Sequence, residues 1–275
     1  MTAFTRRALG AALVVGTMMA GTAHAQDVAP PGPFEVSADV ALVSDYRFRG
    51  VSQTDEEMAL QGGISVSHES GLYAGTWASN LAGWGTFGGS NMELDLYGGY
   101  VFELENASVD VGLTWYMYPG GSDTTDFAEP YVKLGYGLGP ADVLVGVAYA
   151  PKQEALANVA ATPFSNGQKE DNLYIWGDLS TGIPNSPISL SAHLGYSDGN
   201  PGLGPNGTSI APTGTYLDWS LGAGYALGPL TLSVAYVDTD ISRAESAYLL
   251  PNFQNTKNGG SIADSQIVFG VSAGF

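Results

Sequence analysis

From about residue 36 to the carboxyl end, the chain repeats one pattern: apolar side chains at every second position, with small or polar residues between them. The clearest instance is the last segment, where Ile267, Phe269, Val271, Ala273 and Phe275 alternate with Gln266, Val268, Gly270, Ser272 and Gly274. The same rhythm sets Val109, Val111, Leu113, Trp115 and Met117 against Asp110, Gly112, Thr114, Tyr116 and Tyr118. It also sets Leu217, Trp219, Leu221, Ala223 and Tyr225 against Tyr216, Asp218, Ser220, Gly222 and Gly224. Successive side chains of a strand point to opposite faces, so a period of two predicts strands with one apolar and one small or polar face. Twelve such strands are expected, near residues 36–46, 61–69, 72–80, 92–104, 108–118, 128–138, 142–150, 172–181, 188–196, 215–226, 230–238 and 265–275.

The connections between these strands alternate in length. Short ones rich in turn formers fall at Ser70-Gly71, Glu105-Asn106, Gly139-Pro140, Gly182 to Pro187 and Gly228-Pro229. Long ones fall at residues 47–60, 81–91, 119–127, 151–171, 197–214 and 239–264. Tight turns on one rim and long loops on the other are the signature of a transmembrane barrel, whose even strand count places both termini at the periplasmic rim. A strand of about ten residues, rising ~3.3 Å each and tilted by about 45°, spans roughly 23 Å, close to the ~25 Å apolar band of such barrels. In lipid an unpaired strand edge costs several kcal/mol per group, so the sheet must close. The expected fold is therefore all-β: a closed antiparallel transmembrane barrel of twelve strands, with the aliphatic and aromatic set facing lipid. Phe102, Trp115, Tyr149, Tyr196, Tyr225, Tyr236 and Phe275 would form its aromatic rim. The competing reading of these aromatics is the core of a soluble β-sandwich.

Composition narrows the choice. The chain has 275 residues, a formal charge of −18 and 13% charged residues, about half the ~25% of ordinary globular domains. With no basic stripe to neutralise phosphates, a nucleic-acid partner is excluded. The absence of cysteine excludes disulfides, thiol catalysis and cysteine-ligated metals, and no cofactor is expected. No segment offers 18 consecutive apolar residues, which argues against a helical membrane span. Arg6 and Arg7, the apolar run Ala8 to Ala20 and Ala23-His24-Ala25 read as a secretory signal peptide over residues 1–25, followed by one barrel domain over 26–275.

The run Ser44 to Thr54 (SDYRFRGVSQT), then Gln61-Gly62-Gly63, His68 to Asn80 (HESGLYAGTWASN) and Glu93 to Tyr100 (ELDLYGGY), resembles the TorF family of porin-like proteins. The first four strands carry the likeness, and the rest matches in strand rhythm and glycine content. The family often has proline near the position of Met58, so the tip of the first long loop differs here. Terminal Phe275, with Ile267, Phe269, Val271 and Ala273 before it, resembles the signal by which barrel-assembly machinery recognises outer-membrane barrels. The resemblance implies a barrel in a Gram-negative outer membrane among its lipids and lipopolysaccharide, and supplies no catalytic or ligand residues.

Candidate chemistry then follows from the inward face. Alternation turns Asp39, Asp45, Glu93, Asp95, Glu103, Asp110, Asp142, Asp178 and Asp218 toward the lumen, against Lys133 and His193. Such an excess would favour cations among small polar solutes. Arg47 and Arg49 would pair with Asp45 or Asp55 at the outer rim and fold the first loop over the mouth. The expected function is a passive pore; the alternative is a barrel that conducts nothing because side chains or an infolded loop plug it. Other motifs are weaker. Gly202-x-Gly204-x-x-Gly207 lies among prolines and reads as a loop rather than a dinucleotide site. His68 with Ser70 would suit an outer-membrane lipase only with an orienting acid and an oxyanion donor, and no enzyme is expected. Asp238, Asp240 and Glu245 lack the spacing of a dedicated calcium loop.

Overall fold

The computed structural model describes residues 32–122, 124–157, 167–200, 210–249 and 253–275. The expected signal peptide and the Gly202 to Gly207 motif lie outside the described residues. Fourteen strands follow one another among the described residues: β1 (Phe34–Val43), β2 (Arg47–Phe48), β3 (Val51–Ser52), β4 (Ala59–His68), β5 (Leu72–Asn80), β6 (Met92–Glu103), β7 (Ala107–Met117), β8 (Phe127–Gly137), β9 (Ala141–Gln153), β10 (Glu170–Gly182), β11 (Ile188–Gly199), β12 (Thr215–Leu227), β13 (Leu230–Thr239) and β14 (Gln266–Gly274). Twelve of them close into one antiparallel barrel; β2 and β3 form a separate hairpin inside the first long loop. β1 closes the ring, pairing with β4 from Phe34↔His68 to Val43↔Ala59 and with β14 from Asp39↔Gly274 to Val43↔Gly270.

The apolar set of each strand lies on the outside. Leu42, Leu96, Trp115, Val145, Leu194, Leu221, Leu232 and Phe269 are all exposed, as are Phe102, Tyr149, Tyr196, Tyr225, Tyr236 and Phe275. A surface this apolar has no place in water and suits hydrocarbon, while the backbone of every wall strand is paired on both sides. Among the described residues no helix is long and apolar enough to cross a membrane.

The inner wall explains the high glycine content. Gly75 sits under the ring of Tyr97, Gly112 under Tyr131, Gly146 under Trp176 and Gly195 under Tyr174, and a Cβ at any of the four would collide with that ring. Three of these are directly opposed pairs, Gly75↔Tyr97, Gly112↔Tyr131 and Gly146↔Trp176. Large rings can thus lie flat on the wall of the lumen, each in a seat left by its neighbour's missing side chain.

Strand ends depart from the expected ones where the long loops begin. β9 runs to Gln153 and β10 starts at Glu170, whereas β1 stops at Val43 rather than continuing to residue 46. The reason is local: the Ser44 N–H still bonds the Phe269 carbonyl, but Tyr46 N–H donates to Thr54 Oγ1, so the chain has turned inward. Above the wall the long loops build a core of their own. Val51, Trp84, Tyr216, Ile241, Leu249, Phe253 and Ile262 pack together, with the Trp84 and Phe253 rings edge to face at 4.8 Å. A short helix, α1 (Arg243–Tyr248), opens on a capping box in which Ser242 and Glu245 satisfy each other's backbone N–H groups. Glu245 is thereby spent on a cap, and its carboxyl is held below the ordinary range by the Ser242 hydrogen bonds. Asp240 accepts from Leu217 N–H and Asp238 from the Tyr236 hydroxyl. Among the described residues no three His, Cys, Asp or Glu side chains converge to hold a metal ion.

Candidate functional site

Loop 1, residues 44–58, does not lie over the mouth but enters the barrel. Its β2–β3 hairpin turns at Arg49 and Gly50, with φ of 47° and 81°. Two left-handed residues are what a tight two-residue hairpin requires, and glycine is well suited to the second place. At Gly50 a Cβ would also run into Thr239 and Asp218 of the wall, so the loop passes closely against β12 and β13.

This turn projects Arg49 across the lumen. Its guanidinium donates to both Glu129 carboxylate oxygens at 2.7 and 2.9 Å and to Asn172 Oδ1 at 2.7 Å, and it lies 4.0 Å from the Tyr174 ring centroid. Arg49 thus ties loop 1 to β8 and β10, and not to Asp55 at the rim as expected. Asp55 is instead bonded by Thr256, within the last long loop. Arg47 does pair with Asp45, at 2.7 Å, and also donates to the carbonyls of Gly50 and Asp264. Asp45 therefore belongs to the loop rather than to the lumen wall. Ser52 and Thr54 hydroxyls complete its shell; burial pushes its carboxyl above the ordinary range, and Arg47 opposes that rise.

Three further groups of inward side chains meet on the wall. Asp110 accepts from the Tyr73 hydroxyl at 2.6 Å and pairs with Lys133 at 3.4 Å, while Lys133 Nζ stands 4.1 Å from the Tyr131 ring. His193 is bracketed by Asp178 on Nδ1 at 2.6 Å and by Asp218 on Nε2 at 3.1 Å, with the Tyr174 hydroxyl 2.8 Å from the same Nε2. Glu93 accepts from the Tyr46 hydroxyl of loop 1 at 2.9 Å. Asp95, two residues on, is fully buried and neither of its oxygens has a partner. A narrow cleft, open to solvent, runs beside the hairpin between Phe48, Arg49, Gln61, Tyr174, His193 and Asp218.

The remaining sequence-derived candidates are not in this belt. Asp39 is exposed on the inner parity of β1, and Glu103 and Asp142 are exposed at the short-turn ends of β6 and β9. Ile267, Phe269, Val271, Ala273 and Phe275 share the outer face of β14 and its end. His68 Nδ1 and Ser70 Oγ do meet at 2.8 Å, on an exposed turn where no carboxylate bonds the imidazole. Glu129 was missed by sequence reasoning, although the alternation that points Lys133 inward points Glu129 inward as well. Asn172 and the roles of Tyr46 and Tyr174 were missed because their partners are distant in the chain.

The fold recurs among solved barrels. A NanC porin has 12% sequence identity and a TM-score of 0.54, over 88% of this chain and 99% of that one. A membrane protein from a structure on in-meso crystallization has 9% identity and a TM-score of 0.50, over 87% and 83%. The outer membrane channel DcaP of Acinetobacter baumannii is looser, with 10% identity and a TM-score of 0.42 over 88% and 97%. No curated protein matches the chain. The model of the family described as "Bacterial protein of unknown function (Gcw_chp)" matches residues 27–275. With nearly its whole length covered, the chain belongs to the Gcw_chp family.

Proposed function

We propose that the protein is an outer-membrane channel through which small polar and cationic solutes diffuse slowly, with loop 1 setting the bore. The observation that carries this reading is the inserted hairpin, held across the lumen by Arg49 on Glu129 and Asn172. An inserted loop also fits a plugged barrel, and the solvent-open cleft left beside the hairpin favours passage. Cation preference rests on the sign of the lining: Asp39, Glu93, Asp110, Glu129, Asp178 and Asp218 outnumber Arg49, Lys133 and His193. In this reading the long loops face outward, the short turns and chain ends face the periplasm, and lipopolysaccharide surrounds the long-loop rim. The outer face of β14 ending at Phe275 serves recognition by the assembly machinery, and the TorF-like run in loop 1 marks kinship with porins. Residues 1–25 are the leader that exports the chain.

Planar-bilayer recording across a salt gradient tests the proposal. A small conductance with a cation-selective reversal potential is expected; an anion-selective one overturns the lining argument. A silent bilayer favours the second reading, a non-conducting barrel that displays its loops. That reading draws on the apolar core of Trp84, Phe253 and Ile262 packed above the wall.

A further inference from the structure

The least satisfied group of the described molecule is Asp95. Its carboxylate is fully buried, and neither oxygen has a hydrogen-bond partner. What covers it is legible from the register. Its two cross-strand neighbours are Trp77 on β5 and Tyr116 on β7. Loop 1 lays one ring on each: Tyr46 on Trp77 at 5.4 Å and Phe48 on Tyr116 at 5.9 Å, both edge to face. The segment Tyr46 to Phe48 therefore spans the wall at Asp95.

The ionisable groups turned toward this spot are nearly all acidic or neutral. They are Glu93 and Tyr97 on β6, Tyr116 on β7, Tyr118 just beyond it, Glu129 on β8 and Tyr46 from loop 1. The cation of the cluster, Arg49, is already spent on Glu129. An unpaired carboxylate anion in a dry site beside two other carboxylates is far costlier than its neutral acid, whose hydroxyl merely lacks an acceptor. No three such side chains converge closely enough here to share a metal ion, which leaves a proton as the neutralising partner.

We propose that Asp95 is a proton-operated release for loop 1: it carries a proton while the hairpin is seated, and loss of that proton to bulk water unseats the hairpin. Ionisation creates a charge that only water can stabilise, and water reaches it once Tyr46 and Phe48 lift. The proton shifts the loop only by the difference in its affinity for the two arrangements. The sign follows: acid favours the seated loop, and rising pH favours release. This is a regulation of the channel read above, and it rests on that reading only for its effect on conductance.

Loop position can be read without conductance, because the chain has no cysteine. Ser52→Cys places one thiol on β3, at a fully buried position. Its rate of methanethiosulfonate labelling is taken relative to Ser70→Cys on the exposed turn, which cancels the chemistry of the thiol itself. From about pH 5.5 to about pH 8.5 the relative rate is expected to rise roughly tenfold or more, as for a loop whose population shifts by that ratio. Adding Asp95→Asn should keep the thiol protected at both values. Asp95→Leu should do the same and covers the case in which the asparagine variant fails to assemble. A relative rate that ignores pH, or one that rises equally in the Asp95 variants, overturns the proposal. Conductance that rises with labelling supports both readings. Labelling that responds in a silent barrel upholds the release and rejects the channel.

Discussion

Two regions of the lumen wall are built on opposite principles. Toward the long loops, charge is buried and paired, Arg49 with Glu129 across the bore and Arg47 with Asp45 within loop 1, with the loop core above them. Toward the short turns the wall on β1, β4, β11, β12 and β14 carries Ser37, Gly63, Ser65, Ser191, Gly222, Gly224 and Ser272, with the exposed carboxylate of Asp39 among them, while the Asp110–Lys133 pair stands apart on β7 and β8. Small neutral residues line this vestibule, whereas ion pairs fix the one segment that enters the barrel.

The largest effect should come from breaking the ionic latch. Arg49→Ala leaves Glu129 and Asn172 buried without their partner, and losing one member of a buried pair costs about 3–5 kcal/mol. Urea unfolding in lipid vesicles measures that loss. Combined with Arg47→Ala, it should also enlarge single-channel conductance, and an unchanged value would remove loop 1 from control of the bore. Next comes the wall itself, which should not distinguish the two regions. Leu232, exposed on the outer face opposite Val271 and Tyr225, tolerates arginine at a cost of about 2–4 kcal/mol if it lies near mid-bilayer. A negligible cost there would put that face in water and end the membrane interpretation. The smallest effect belongs to the vestibule. Asp39→Asn should leave stability within about 0.5 kcal/mol, as for surface positions, while weakening the cation preference seen in reversal potentials. Equal losses of stability for Asp39→Asn and Arg49→Ala would erase the contrast between the two regions.

Much of this fold was legible from residue order, since a strand's two faces are encoded by adjacent residues. β5 runs from Leu72 to Asn80, as the alternation predicts, and the other wall strands differ only at their ends. The glycine seats were not legible, because each needs to know which residue lies across the ladder. Loop 1 shows a harder limit. The partners of Arg49 are 80 and 123 residues away, and nothing near Arg49 announces them. Glu129 was within reach, sharing the parity of Tyr131 and Lys133. The apolar loop residues Trp84, Phe253 and Ile262 were visible too, but a loop core has no period, so they carried no pattern to read.

The seam of the ring has one more implication. β1 leads straight into loop 1, and the strand it zips against, β14, is the last of the described strands in chain order. Arg47 reaches the Asp264 carbonyl, and Ser52 N–H the Ile262 carbonyl, both on the stretch that feeds that final strand. A cylinder still missing its last stave offers neither acceptor, so until the circle is complete the hairpin has Glu129 and Asn172 to hold but not these two carbonyls. Full seating of the hairpin is thereby tied to closure, and a half-built barrel lacks part of what narrows the finished one.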